Sequence, residues 1–543
     1  MAATESVSNT LPRGTLNFLL VFVGAVHALS FAPGPLPAFA LPFLQLVALA
    51  IFIGSALTAS SQKQASLTAF CFGIGNFTVG VYWLYISMHV YGLMPSVLAA
   101  SAVVLMAMAL SAFIIAAVLL IRYLLPRAKY LNWQEQILGA AVIASVWTLS
   151  EWLRGTLFTG FPWLNIAYAH VDGMFAGWAP LFGAYAVAWC AAFSVGSISL
   201  FAINTEQREN GLSAAAMGCA VVLGIAGIAF SNIKWADAHG DPIIVRLVQG
   251  NVSQSLKFDP EHLSAGIQIY QELSALPAKE AGSEPSLIVL PETVVPLLQN
   301  RIAPEVWQQW IDIAKNQNAQ LLLGAPLESG TASPQYTNSV IAIDGKSTPE
   351  QIINLQLEHR YDKSHLVPFG EFVPYGFKWF VDAMQIPLGD FHRGEHRQQN
   401  FDLAGQYIAP NVCYEDVFGE EIVRAVLPNS TQGPGATMLI NVSNLAWFGD
   451  SWALRQHLQI SRFRAIETAR PMLRATNTGM TAAIDHRGKV LGVLPANQLG
   501  VLDVEVQGAT GLTAYVRWGN LPIIVLSLLL CGWAWLRFRK PQA

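Results

Sequence analysis

A short apolar run gives way to acidic residues in Ile408-Ala-Pro-Asn-Val-Cys413-Tyr-Glu-Asp416. Of the five cysteines, Cys413 is the one outside a strongly apolar stretch, and the end of a buried strand is where α/β enzymes gather their active-site residues. The surrounding segment, 240–512, reads as a soluble domain, yet apolar segments long enough to cross a bilayer lie on both sides of it. The sequence therefore predicts a thiol enzyme held against a membrane.

Around Cys413 the pattern alternates between short β-rich runs and amphipathic stretches, which indicates one α/β domain with layered sheets. Strands are predicted at 243–248, 287–290, 320–324, 339–343, 406–413, 437–442, 472–475 and 481–484. Helices are predicted at 260–276, 304–316, 419–427 and 452–469.

Two further polar residues accompany apolar runs. Glu292 comes directly after Leu287-Ile-Val-Leu-Pro291, and Lys363 lies in a segment rich in proline and aromatic residues. Taken singly, Glu292 could cap a helix, Lys363 could be a solvated lysine and Cys413 a buried small side chain. Jointly they suit thiol chemistry, because a carboxylate can take the thiol proton while an ammonium stabilises the thiolate and an oxyanion.

Two histidines leave a second source of the base open. A Cys/His pair formed by Cys413 with His365 or His457 would activate the thiol in the same way. The sequence has no His/Cys/Asp cluster with metal-ligand spacing, so neither a metal nor a cofactor is expected.

Composition favours an integral membrane protein. Of the 543 residues, 53% are hydrophobic and 12% are charged, against about 25% charged in soluble domains, and the mean hydropathy is +0.41. A net charge of −4 without a Lys/Arg-rich run argues against nucleic acid as a partner. Eight membrane helices are predicted, at 15–32, 38–58, 66–88, 95–121, 135–152, 181–203, 213–231 and 520–536.

Basic residues predict the orientation of these helices. They fall at the termini and in alternate loops: Arg13, Lys63, Arg122, Arg127, Lys129, Arg208, Arg537, Arg539 and Lys540. By the positive-inside rule, both termini are cytoplasmic and the segment between the seventh and eighth helices is outside. The predicted organisation is a membrane domain at 1–235, an extracytoplasmic catalytic domain at 240–512 and a C-terminal membrane helix at 518–538.

Pro291-Glu292-Thr293, Lys363 and Cys413-Tyr414-Glu415, in that order, resemble the Glu-Lys-Cys triad of the nitrilase superfamily, whose fold is an αββα sandwich. With the flanking helices, three longer motifs resemble the bacterial apolipoprotein N-acyltransferase family: Arg360-Tyr-Asp-Lys-Ser-His-Leu-Val-Pro-Phe-Gly-Glu-Phe-Val-Pro374, Phe158-Thr-Gly-Phe-Pro-Trp163 and Ala446-Trp-Phe-Gly-Asp450. The resemblance spans nearly the whole chain. It implies a nitrilase-like sandwich inserted between the seventh and eighth of about eight transmembrane helices.

This resemblance implies the last step of bacterial lipoprotein maturation. An acyl chain, typically from the sn-1 position of phosphatidylethanolamine, passes to the α-amino group of the diacylglyceryl-cysteine of an apolipoprotein. By matching positions, Cys413 would be the acyl-accepting nucleophile, Glu292 the general base and Lys363 the stabiliser of the oxyanion. Four supporting positions are also implied: Glu371 to position Lys363, and Tyr414, Glu415 and Trp447 in the active-site surroundings or mobile loops. The implied protein is a monomer of the inner membrane whose catalytic domain faces the periplasm.

Two positions depart from the family pattern. Leu445 stands where an Asp usually precedes Ala-Trp-Phe-Gly, and Phe258 stands where a Trp is common. These departures bear on loop contacts and lipid preference rather than on the triad.

Two other functions are weighed against this one. In a membrane-tethered amidase or nitrile hydrolase, water would resolve the thioester and small amides would be hydrolysed. A transporter or lipid-binding protein with an inert nitrilase-like domain is disfavoured, because the triad is intact and most helices lack deep ionisable residues.

Overall fold

The computed structural model describes residues 13–126, 128–204, 214–257, 261–278, 282–330, 333–373, 376, 391–430 and 433–539. Five positions named above therefore lie outside the described residues: Arg127, Arg208, Phe258, Pro374 and Lys540.

The N-terminal part of the chain is helical and apolar. Its helices are α1 (Arg13–Ala28), α2 (Leu41–Thr58), α3 (Gln62–Gly80), α4 (Trp83–Ile86), α5 (Ser96–Leu124), α6 (Trp133–Thr156), α7 (Ala179–Ile203) and α8 (Ala215–Phe230). A π-helical turn at Ser87–Tyr91 follows α4, and short 3-10 turns at Leu157–Thr159, Ile166–His170 and Ala176–Trp178 connect α6 to α7.

The predicted membrane segments coincide with helices, but the helices differ in length. Among the described residues, five are long and apolar enough to cross a bilayer: Ala38–Thr58, Ser96–Leu124, Trp133–Thr159, Ala176–Ile203 and Leu521–Phe538. A sixth candidate is Gln62–Gly80 together with Trp83–Tyr91, which meet at a bend of 53°. The two remaining predicted segments correspond to shorter apolar helices, at Asn17–Ala28 and Ala215–Phe230.

Two six-stranded mixed sheets follow. The strands are β1 (Asp237–Gln249), β2 (Leu287–Val289), β3 (Gln320–Ser329), β4 (Gln335–Ile343), β5 (Arg360–Asp362), β6 (Phe401–Leu403), β7 (Gln406–Val412), β8 (Met438–Ser443), β9 (Met472–Thr476), β10 (Ala482–Ile484), β11 (Val490–Val493) and β12 (Gly500–Thr510). Their orders are β12-β1-β2-β3-β4-β5 and β11-β10-β9-β8-β7-β6. Strands β1, β2 and β3 pair in parallel, as do β7, β8 and β9.

Further helices lie between and after the strands; those beside the sheets cover the outer sheet faces, whereas the last helix packs against α5, α6 and α7. They are α9 (Gln254–Lys257), α10 (Leu263–Ser274), α11 (Pro304–Gln317), α12 (Pro349–Ile353), α13 (Gly419–Val426), α14 (Trp452–Thr468), α15 (Ala514–Trp518) and α16 (Leu521–Arg539). Because side chains alternate along a strand, Leu247 packs between the sheets while its neighbour Val248 packs toward α10 and α11. A third cluster joins the second sheet to α13 and α14. The layers are therefore helix, sheet, sheet, helix.

Helix α14 joins the sheet part to the apolar part. The Gln456 side-chain oxygen accepts hydrogen bonds from the indoles of Trp83 (3.2 Å) and Trp163 (2.7 Å). Near the other end of α14, Glu467 accepts a 2.7 Å hydrogen bond from the backbone N–H of Ala184, just after a kink in α7 at Gly183. The carboxylate thus satisfies an amide that the kink removes from the regular helix ladder.

Candidate active site

Cys413 lies at a sharp turn between β7 and a 3-10 turn at Cys413–Val417, and its side chain is half-buried. Its φ is +54°, in the left-handed region that non-glycine residues occupy only when their surroundings enforce it. Two contacts do so. The amide of Asn441 donates to the Cys413 carbonyl at 3.0 Å, and Glu415 accepts from the Val412 N–H at 2.7 Å. The strand end therefore presents the thiol in a fixed position.

Glu292 follows β2 in a turn whose next residue, Thr293, also has a left-handed φ of +54°. The carboxylate is buried and both oxygens have donors. Oε1 accepts from Asn338 Nδ2 at 2.7 Å, and Oε2 accepts from the backbone N–H of Asn444 at 2.8 Å. These bonds hold the carboxylate in one orientation.

Lys363 follows β5, and its ammonium is almost fully buried, with 1% of the side chain exposed. Nζ lies 2.8 Å from Oε1 of Glu371 and 3.5 Å from Oε1 of Glu292. Asn338 donates to both of these oxygens, at 2.8 Å and 2.7 Å. Two carboxylates, one ammonium and one amide therefore form a single buried network.

Charge in this network sets the resting state of the thiol. Burial raises the pKa of Cys413 well above its ordinary value, the Glu292 carboxylate raises it further, and Lys363 acts in the opposite direction. For Lys363, burial works against the charged form, but Glu371 and Glu292 together outweigh it and raise the pKa. At neutral pH the Cys413 thiol is therefore protonated and the Lys363 ammonium is charged.

Comparison with known proteins identifies the chain. Residues 23–197 match the model of the apolipoprotein N-acyltransferase N-terminal domain, and residues 244–515 match that of carbon-nitrogen hydrolase. An apolipoprotein N-acyltransferase of Bordetella bronchiseptica is 46% identical, over 96% of this chain and 97% of its own. One of Ralstonia nicotianae is 42% identical, over 100% and 98%. The chain belongs to the apolipoprotein N-acyltransferase family.

The predicted resemblance to the apolipoprotein N-acyltransferase family is thus confirmed, and the protein is an amide-forming acyltransferase. Its two mixed sheets form the carbon-nitrogen hydrolase fold, which confirms the predicted nitrilase-like fold. Several apolar helices accompany that fold, as expected for a membrane protein.

In this member of the apolipoprotein N-acyltransferase family, Glu415 connects the turn of Cys413 to the segment of Lys363. Its buried carboxylate accepts hydrogen bonds from the backbone N–H of Ser364 (2.7 Å) and from the Tyr361 hydroxyl (2.9 Å), besides the bond from Val412. A supporting role for Glu415 was expected from the motif. In the structure, this one carboxylate bonds to both the turn of Cys413 and the segment of Lys363, and so holds the two at a fixed spacing.

Tyr414 and Trp447 both reach toward the apolar part of the chain. The Tyr414 hydroxyl donates to the Gly160 carbonyl at 3.2 Å. The Trp447 ring packs edge-on against Tyr91, with centroids 6.0 Å apart. The neighbouring departure from the family pattern, Leu445, is a buried apolar residue of the same 3-10 turn. The loop after β8 therefore rests on the π-helical turn.

The two histidines considered as alternative bases have other partners. Nε2 of His457 lies 2.6 Å from Asp416, and its Nδ1 lies 3.0 Å from Arg474. Nδ1 of His365 lies 3.1 Å from Glu421. Both imidazoles therefore lie against carboxylates, whereas the Glu292 carboxylate raises the pKa of the Cys413 thiol.

Sequence reasoning missed Asn338, which donates to both site carboxylates. A signal was available, because Thr337 and Asn338 directly precede the predicted strand 339–343, whose first residue, Ser339, is also polar. All three are buried in the longer strand β4. Polar side chains in a core strand require partners.

Sequence reasoning also missed the buried network behind the nucleophile. Arg474 Nη1 lies 2.8 Å from Asp416, and Ser461 contacts the same carboxylate. Burial alone would raise the pKa of Asp416, but His457 and Arg474 hold it below its usual value. This network fixes α14 and β9 against the turn that begins at Cys413.

Proposed function

We propose that the protein transfers an acyl chain from a phospholipid to the N-terminal α-amino group of the diacylglyceryl-cysteine of apolipoproteins, through a thioester on Cys413. The observation that carries this proposal is the buried network in which Lys363 contacts both Glu371 and Glu292. Glu292 raises the pKa of the Cys413 thiol and Lys363 lowers it. The proposed acyl donor is phosphatidylethanolamine.

In the first half-reaction, Glu292 takes the thiol proton and the Cys413 sulfur attacks the ester carbonyl of the phospholipid. Lys363, whose charge is secured by two carboxylates, stabilises the oxyanion of the tetrahedral intermediate. The intermediate collapses when the C–O bond breaks. The glycerol oxygen then takes the proton held by Glu292, which releases a lysophospholipid and leaves a thioester.

In the second half-reaction, the uncharged α-amino group of the apolipoprotein attacks the thioester carbonyl. Glu292 accepts the proton lost by the nitrogen, the C–S bond breaks, and Glu292 passes that proton to the sulfur of Cys413 as the amide is released. The enzyme returns to its starting state, so the two substrates react in ping-pong order. Exclusion of water would protect the thioester between the two steps.

Both substrates are lipids, and moving their chains out of the bilayer would cost about 0.8 kcal/mol per CH₂ group. Contacts of Tyr414 with Gly160 and of Trp447 with Tyr91 support an active site at the edge of the apolar helices. The proposed organisation is a membrane domain at 1–235, a periplasmic catalytic domain at 240–512 and a membrane helix at 518–538. These parts would form a monomer with about eight spans in the bacterial inner membrane.

The test is intact-protein mass spectrometry after incubation with phosphatidylethanolamine, beside a Cys413→Ala variant. We expect a mass increase of one acyl chain that hydroxylamine removes and that the variant lacks. Addition of a diacylated lipopeptide should then discharge the adduct and yield the triacylated product. A folded enzyme that forms no adduct would contradict the phospholipid donor, and discharge by water at the same rate without lipopeptide would favour the amidase alternative.

A further inference from the structure

A second lysine contacts Glu292, at the main chain rather than at the carboxylate. Lys257, the last residue of α9, donates from Nζ to the main-chain carbonyl oxygen of Glu292 at 3.1 Å. Its side chain is buried, with 3% of the residue exposed. The mechanism described above assigns this lysine no role.

Charge balance gives the second ammonium a function. Glu292, Glu371 and Lys363 together bring two carboxylates and one ammonium into a buried site, which leaves one negative charge uncompensated. Buried charges are stable only when they are paired. Among the described residues, Glu292 is the charged group that faces Lys257, so the protonated lysine can supply the missing positive charge.

The same contact holds the main chain of the Glu292 turn. Thr293 has a left-handed φ of +54°, so the turn must be held by its neighbours. The Val294 N–H donates to the Gly324 carbonyl at 2.9 Å. A side chain at Gly324 would leave no room for the turn, because a Cβ there would lie 2.7 Å from the Cα of Glu292. The bond from Lys257 to the Glu292 carbonyl is a further contact that holds the turn.

Helix α9 is itself tied to the active site. The Asn444 side chain donates to Gln254, the first residue of α9, at 2.9 Å, while the Asn444 backbone N–H donates to Glu292 Oε2 at 2.8 Å. One residue therefore fixes both the helix that carries Lys257 and the carboxylate that Lys257 serves.

We propose that Lys257 is a positioning residue for the general base: its bond to the Glu292 carbonyl fixes the Glu292 turn, and in its protonated form it brings a positive charge to this buried site. The inference rests on the proposed role of Glu292. Burial lowers the pKa of Lys257 to about 7, and the Glu292 carboxylate opposes that shift. Lys363 and the Cys413 thiol are the other titratable groups that interact with Glu292.

Three full-length variants separate charge from hydrogen bonding: Lys257→Met removes both, Lys257→Gln keeps a donor, and Lys257→Arg keeps the charge. The measurement is the rate of acyl-enzyme formation from phosphatidylethanolamine, as a function of lipid concentration and pH. For Lys257→Met we expect a maximal rate lowered by about tenfold to a hundredfold, as for loss of a hydrogen bond from a charged donor. KM should be unchanged, and the acid limb of the pH profile should move to higher pH.

The companion variants sharpen the readout. In Lys257→Arg the acid limb of the pH profile should lie where it does in the unmodified enzyme. Lys257→Gln should be faster than Lys257→Met, but its acid limb should stay at the higher pH. Lys234→Met is the matched control, because Lys234 is an exposed lysine paired with Asp237. Thermal unfolding of each variant corrects the rates for the folded fraction. A corrected Lys257→Met profile that superimposes on that of the unmodified enzyme would overturn the proposal.

Glu292→Gln, measured in parallel, separates this inference from the proposed function. If Glu292→Gln is inactive while Lys257→Met is unchanged, the role of Lys257 fails and the base assignment survives. If Glu292→Gln forms the acyl-enzyme at the full rate, the base assignment fails and the role of Lys257 fails with it.

Discussion

The hydroxyl of Tyr414 donates a 3.2 Å hydrogen bond to the main-chain carbonyl of Gly160. Tyr414 directly follows the proposed nucleophile, whereas Gly160 lies in the loop after α6, next to the exposed Phe158. Gly160 has a φ of +84°, and a Cβ there would lie 2.1 Å from the Gly155 carbonyl, so this turn requires glycine. A rigid turn of the apolar part is thus bonded to the catalytic turn.

Replacement of Tyr414 by Phe removes this bond while keeping the ring. A typical intramolecular hydrogen bond contributes about 1 kcal/mol to stability, so we expect a modestly lower Tm. Acyl-enzyme formation should slow by up to about fivefold, because the turn that carries Cys413 is held less firmly. The rate is measured by intact-protein mass spectrometry of samples quenched at successive times. Tyr85→Phe, which loses a partly exposed hydroxyl contact with Ser96, is the control. An equal loss in both variants would argue against a specific role for the Gly160 bond.

Asn338→Ala should impair the site more strongly, because the amide donates to the carboxylates of both Glu292 and Glu371. Hydrogen bonds to charged groups contribute about 1.5–3 kcal/mol each, so a fall in acylation rate of at least about tenfold is expected, together with a lower Tm. Asn400→Ala removes an amide that bonds to the backbone carbonyls of Ala425 and Pro434 instead. That variant should keep the rate, and its failure to do so would indicate a general loss of structure.

The two charged partners of Cys413 should shift its reactivity toward iodoacetamide in opposite directions. Because the Glu292 carboxylate raises the pKa of the thiol and Lys363 lowers it, Glu292→Gln should alkylate faster near neutral pH and Lys363→Met more slowly. One pKa unit changes the thiolate fraction about tenfold below the pKa. Peptide mass spectrometry of the Cys413 fragment against pH measures both shifts. Shifts of the same sign in the two variants would contradict the electrostatic account.

Buried His457 should make stability fall on acidification. Burial lowers the pKa of His457, Arg474 lowers it further, and Asp416 opposes the shift. The ring therefore stays neutral in the folded protein at pH values below about 6.5, where the ring of an unfolded chain takes up a proton. The contribution of His457 to the free energy of unfolding is therefore complete above about pH 6.5. It is lost as the pH falls toward the pKa of His457 in the folded protein, by up to about 1.4 kcal/mol per pH unit. Compared with the parent, His457→Gln should show a shallower fall of Tm with decreasing pH.

The control for this measurement is His396→Gln, since His396 is exposed. Its Tm should follow the pH dependence of the parent protein. A parent-like slope for His457→Gln would show that the ring does not contribute to the acid sensitivity of the fold.

The sequence grouped Glu292, Lys363 and Cys413 as one predicted site. In the structure, Glu292 and Lys363 share a buried network, and both change the pKa of the Cys413 thiol. Glu292 and Cys413 stand at the end of apolar runs, and such runs become buried strands whose ends converge at one edge of a layered α/β fold. Strands β5, β6 and β11 were not predicted. Unlike the equally short β2 and β10, whose residues are all apolar, β5 and β6 contain charged residues, and β11 contains a glycine. Strand β12 does alternate apolar and acidic residues at 502–506 and was overlooked.

Asn338 and Lys257 could not be assigned in advance, because their roles depend on which elements the fold places beside Glu292. Asn338 acts on two carboxylates that are 79 positions apart in the chain, at 292 and 371. Lys257 belongs to a four-residue helix with no readable period. The kink of α7 at Gly183 was likewise invisible as hydrophobicity, because the whole stretch is apolar.

Helix α14 has a consequence for any attempt to obtain the sheets as a water-soluble fragment. Cutting the chain between α8 and β1 and again before α16 would strip Gln456 of two indole donors and Glu467 of the Ala184 amide. Water could replace these donors, but the apolar side chains of α14 that pack against the membrane helices, such as Ile460 and Phe463, would lose their cover, at about 25 cal/mol per Å² of exposed apolar surface. Detergent or lipid would thus be needed to cover the exposed face of α14 in the sheet fragment, as well as to keep the membrane helices in solution.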